Sequence, residues 1–177
     1  MKNILLFSVF LLLLAGCKKQ DRGNDKNSCP PELVGQWVRG EFAMANFASY
    51  EGTTIVDASL TTGALEFFAN GKVNAYSVSF PTNAQSGCNP QVLSLYKGSA
   101  NYPVAGKLLM QFTGGSERKF YQQCPGKINT ERTLTAIDFN GALTCYWSVE
   151  TIGSETLLGI RYDLPDNPKI YFKKTSW

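Results

Sequence analysis

The chain has 177 residues with a formal net charge of +3, and its basic residues are scattered, with doublets only at Lys18-Lys19, Arg118-Lys119 and Lys173-Lys174; there is no basic patch of the kind that binds nucleic acid. It contains no histidine, which removes the usual general base of hydrolase triads, the Cys-His dyad and every His-containing zinc site.

At the amino terminus, Met1, Lys2 and Asn3 precede an apolar run from Ile4 to Leu14 interrupted only by Ser8, the pattern of a short charged n-region followed by the h-region of an export signal. The run is about half of the roughly 20 apolar residues that a membrane span needs, and it meets Cys17-Lys18-Lys19-Gln20-Asp21 at once. Leu14-Ala15-Gly16-Cys17 resembles the lipobox of bacterial lipoproteins. The resemblance implies cleavage after Gly16, so that residues 1–16 are a lipoprotein signal peptide, and lipid attachment to Cys17. Two or more acyl chains there, at about 0.8 kcal/mol per buried methylene, would anchor the protein to a membrane without any protein in the bilayer. The other reading is a secretory signal with an incidental cysteine.

Lys18 to Ser28 has no aliphatic or aromatic side chain and is dense in charge, which marks residues 17–28 as the lipidated cysteine and a flexible tether. Lys18-Lys19-Gln20-Asp21 partly resembles the surface-export signal of Bacteroidota lipoproteins, a lysine followed by two acids, with one acid here in place of two. The expected location is therefore the outer membrane, lipid-anchored, on the periplasmic or the cell-surface leaflet. Residues 29–177 are long enough to bury a core as one domain.

From Pro30 onward the pattern is strand after strand. Leu33 to Arg39 opens the domain, and Glu41 to Tyr50 reads as a short helix or a flap. Ala64 to Phe80 forms a hairpin about Asn70-Gly71, with Tyr76, Val78 and Phe80 sharing a face. Pro81 to Pro90 is a loop. Val92 to Tyr96, Ser99 to Val104 and Lys107 to Thr113 follow, and in the last of these Leu108, Met110 and Phe112 alternate with Lys107, Gln111 and Thr113, the period of a half-buried strand. Gly114-Gly115 reads as a turn into Ser116 to Gln123. A second hairpin is expected where Arg132 to Phe139 meets Ala142 to Glu150 across Asn140-Gly141, with Leu143, Cys145, Trp147 and Val149 on one face. Thr156 to Asp163 and Lys169 to Lys173 close the chain. The fold class is all-β, an antiparallel barrel or sandwich.

Apart from Cys17, the cysteines are Cys29, Cys88, Cys124 and Cys145. An even number without close spacing, in an exported chain, predicts two disulfides rather than a metal site. Three pairings are open, and we expect Cys29 with Cys145 and Cys88 with Cys124.

Gly35-Gln36-Trp37 on the first strand, Leu65-Glu66-Phe67-Phe68-Ala69-Asn70-Gly71-Lys72, and Lys97-Gly98-Ser99-Ala100-Asn101-Tyr102 followed by Gly106-Lys107-Leu108-Leu109-Met110 together resemble the first-strand motif, second hairpin and middle strands of lipocalins and of the lipocalin-like lipoproteins of Bacteroidota. The resemblance implies an up-and-down, calycin-type β-barrel in which Gly35 and Trp37 form the structural motif. Trp37 would plug the closed end, and an arginine from a late strand, Arg161, would lie over its indole as a cation–π contact. Without the resemblance, Trp37 is simply core and Arg161 a surface residue beside Asp163.

A barrel of about eight strands has room for side chains or for one small ligand. Phe67, Tyr76, Tyr102, Phe112, Tyr121, Trp147, Tyr162 and Tyr171 all fall in predicted strands, each as filled core or as ligand wall. As a wall, Phe67, Tyr76, Phe112 and Trp147 are the candidates. No Gly-x-Ser-x-Gly elbow, phosphate loop or calcium loop is present, so we expect no catalytic residues, no metal and no cofactor. Two functions remain: a carrier of a small hydrophobic or amphipathic ligand, or a non-enzymatic interaction, structural or inhibitor module of the cell envelope with a filled barrel.

Overall fold

The computed structural model describes residues 28–51, 62–80, 90–121 and 124–177. Nine strands form one antiparallel sheet: β1 (Gly35–Arg39), β2 (Thr62–Phe67), β3 (Lys72–Ser79), β4 (Gln91–Asn101), β5 (Lys107–Phe120), β6 (Thr130–Thr135), β7 (Leu143–Ile152), β8 (Glu155–Tyr162) and β9 (Ile170–Thr175). Eight of them close a ring in the order β1-β2-β3-β4-β5-β7-β8-β9, with β9 pairing back onto β1, and β6 adds to the far half of β5. The fold is barrel-like.

Because side chains alternate across a strand, one face of the sheet supplies the interior. Trp37, Leu65, Phe67, Val73, Ala100, Leu108, Met110, Cys145, Leu158, Ile160 and Phe172 are buried together there, with every strand of the ring represented. One end of the ring is closed by the segment before β1. Leu33 is fully buried, its carbonyl accepts the Trp37 indole N–H at 2.8 Å, and the Cys29 amide donates to the Ala69 carbonyl at 3.3 Å.

The opposite face of β2–β5 carries a second cluster. A six-residue helix, α1 (Met44–Ser49), is too short to be stable alone and lies over it through Phe47, with Tyr50, Val78, Leu93 and Phe120. The Arg118 guanidinium hydrogen-bonds the Phe47 carbonyl and stands 5.4 Å from its ring. The expected apolar face of Tyr76, Val78 and Phe80 is real, but it points outward under α1.

Three expectations are corrected. Val92–Tyr96 and Ser99–Asn101 lie on the single strand β4, which ends before Tyr102, and Gly114-Gly115 is no turn, since β5 runs through it for 14 residues. The glycines permit close approach instead. The register shifts between Lys97 and Gly98, and a Cβ on Gly115, where φ is 151°, would lie 1.9 Å from the Leu95 carbonyl oxygen. Nor do β6 and β7 pair with each other. Both run antiparallel to β5, in tandem, with Met110 opposite Leu143 and Gly114 opposite Thr135. The strand breaks because Ala136–Asp138 forms a 3-10 turn whose Asp138 carboxylate accepts the Thr135 N–H at 2.8 Å.

Cys29 and Cys145 are free, buried thiols, so the expected bridge between them does not form. Cys29 sits in the closed end, where its sulfur accepts the Tyr102 hydroxyl at 3.1 Å, whereas Cys145 lies on β7 between Leu108 and Tyr162. Cys88 lies outside the described residues, as does Cys17; Cys124 is buried and is not a free thiol.

Candidate functional site

Toward the open end the ring holds a cavity of about 230 Å³. Its lining includes Leu65 (β2), Met110 and Phe112 (β5), Leu143 (β7), Tyr162 (β8) and Phe172 (β9), with Tyr96 (β4) on one side and Arg39 at the end of β1. Leu65, Met110 and Phe172 belong to the interior core, so the cavity rests directly on it. Small-molecule pockets are of this kind, apolar and aromatic with a few polar groups, though usually larger at roughly 300–1,000 Å³. The volume therefore restricts the site to a small molecule.

Tyr96 and Phe112 also border a second chamber of about 330 Å³, shared with Glu117, Arg132, Leu134, Asp138 and Phe139. Phe139 comes from the segment that interrupts β6 and β7. It stands 5.7 Å from Tyr96 and 5.9 Å from Phe112, and the other two rings are 5.7 Å apart. The aromatic triad occupies the stretch where Gln111 to Thr113 of β5 lack a strand partner on that flank. Arg132 fixes the segment by pairing with Asp138 at 2.8 Å and with Glu117 at 2.9 Å, and Lys119 adds a 3.2 Å contact to Glu117. Burial opposes ionisation of Glu117, but the hydrogen bonds from Arg132 and Lys119 and their charges together outweigh it and hold the carboxyl below its ordinary value.

The residues expected as ligand wall separate. Phe112 lines both chambers. Phe67 is only 1% exposed and belongs to the interior core. Trp147 faces inward and packs against that core, with its indole N–H buried and lacking a hydrogen-bond partner. Tyr76 borders the cavity, yet its ring turns outward to Phe47 at 5.4 Å and Phe42 at 5.9 Å, and its hydroxyl donates to Glu66. Arg161 alternates with the inward Ile160 and Tyr162 and so points outward, opposite Tyr146. The cation over Trp37 is Lys174 on β9, 5.2 Å from the ring centroid and directly opposite it in the register. Gly35 takes a φ of 123°, a backbone conformation that side-chain-bearing residues rarely adopt.

Arg39 was missed by sequence reasoning, although it stands two residues past Trp37 and so on the same face. Among the described residues no three acidic or cysteine side chains are grouped to hold a metal, and no helix is long and apolar enough to cross a membrane. No family model, curated protein or solved structure matches the chain.

Proposed function

We propose that the chain is a lipid-anchored outer-membrane lipoprotein whose lipocalin-like barrel holds one small hydrophobic or amphipathic molecule. The observation that carries this reading is the cavity of about 230 Å³ inside the ring, walled by Phe112, Tyr162, Met110 and Leu143. A core meant only to be filled leaves few voids larger than a water molecule, whereas this one sits above a closed, well-packed base. The anchor is proposed from Cys17 and its preceding apolar run, and no catalytic role is assigned.

Native mass spectrometry of the mature chain, followed by organic extraction, tests the carrier reading. The expected result is a stoichiometric small molecule that co-purifies. A clean apo mass, unchanged by a panel of lipids and small amphiphiles, would favour the second reading, an interaction module acting through its surface. That reading draws on Ile137, which is 93% exposed beside the second chamber.

A further inference from the structure

We infer that the cavity receives a small carboxylic acid with an apolar or aryl body, its carboxylate held at the mouth by Arg39. The inference rests on the reading of the cavity as a ligand site and names the chemistry that the site selects. Arg39 is the one charged side chain in the cavity lining, and it makes no ion pair with any described carboxylate. Several cations elsewhere on the barrel are engaged. Arg132 holds Glu117 and Asp138, Lys119 holds Glu117, Arg118 holds the Phe47 carbonyl, and Lys174 stands over Trp37.

The mouth therefore presents one uncompensated positive charge above an apolar wall. A guanidinium fork matches a carboxylate in two parallel charge-assisted hydrogen bonds, here at the exposed rim where Arg39 stands. Tyr162 supplies a second donor. Burial, with Cys145 adding and Arg39 opposing, pushes its phenol up to about 12, so it stays protonated at neutral pH, and its hydroxyl has no hydrogen-bond partner among the described residues. One free cation matches a monoanion. A dianion would bring in a charge with no partner, which costs more than it gains.

The test is calorimetric titration of the full chain in nanodiscs, with empty nanodiscs as blank, using 4-phenylbutyrate and its neutral counterpart 4-phenylbutan-1-ol. The acid is expected to bind at least about tenfold tighter than the alcohol, the size of a hydrogen bond to a charged group. Arg39→Gln is expected to abolish the preference for the acid over the alcohol, and an unchanged thermal unfolding midpoint reports that the variant is folded. Should that variant not fold, the ratio measured on the parent chain and on Arg39→Lys, which keeps the charge and loses the fork, decides instead; an intermediate preference in Arg39→Lys supports the inference. Equal binding of acid and alcohol by the parent, or a preference that survives Arg39→Gln, overturns it and leaves the cavity reading intact. Binding of neither compound also overturns it, and the cavity reading then stands or falls on what co-purifies with the mature chain.

Discussion

Trp37 shows how much one side chain organises. It is fully buried, its N–H is satisfied by Leu33, and a lysine covers its ring. Trp37→Ala is expected to cost about 3–5 kcal/mol, read as a lower denaturant midpoint, whereas Lys174→Met, at an exposed cation, should cost under about 1 kcal/mol. The Gly-x-Trp motif made the tryptophan's role legible. Its partner was not, because the pairing of the last strand with the first is a long-range register that no local pattern encodes, and the parity of Arg161 against Ile160 turns it outward. The cysteines make the same point. Burial, reinforced by Asp163, pushes the Cys145 thiol up to about 12, and burial also raises Cys29. Protonated and enclosed, both should resist alkylation in the native chain and react after unfolding without reductant, as peptide mass mapping would show.

Strands were legible from alternation, and the β2–β3 hairpin from Asn70-Gly71, where Gly71 takes a positive φ of 78°. The connection of β5, β6 and β7 was not. Asn140-Gly141 carries a hairpin signal, but β5 is long enough to take both following strands end to end, and the 3-10 turn capped by Asp138 separates them. Gly-Gly reads as a turn by composition, yet at Gly115 it serves close backbone approach. Gly115→Ala should therefore destabilise by more than about 2 kcal/mol, seen in thermal or denaturant unfolding, although Ala favours neither turn nor bulge. The ion-pair cluster that pins the segment gives a pH signature. Glu117 titrates below its ordinary 4.5 in the folded chain, so its contribution is complete above that value and is lost as pH falls through the lower, folded value. Unfolding midpoints should drop on acidification in that window, and Glu117→Gln should lower stability at neutral pH while flattening the acid limb.

For the whole molecule, strand count and turns led to an antiparallel barrel or sandwich, the closed end was implied by the lipocalin resemblance alone, and the cavity's aromatic wall was legible in part. Its single cation was not, because what distinguishes Arg39 is that it pairs with no described carboxylate, a property of three-dimensional placement. The anchor proposal predicts that Cys17→Ser moves the chain from the membrane fraction to the soluble one, checked by fractionation and by loss of acyl mass. A further consequence follows from where the chain enters the ring. The segment through Cys29 and Leu33 seals one pole, so the first described residues lie at the base while Arg39 and the cavity lie toward the opposite pole. If Cys17 carries the proposed anchor, a vessel fastened by its foot opens away from its mooring. Under the anchor and carrier proposals, loading and unloading would then occur by exchange with the aqueous space, at rates set by diffusion and dissociation, rather than by lateral passage from a bilayer.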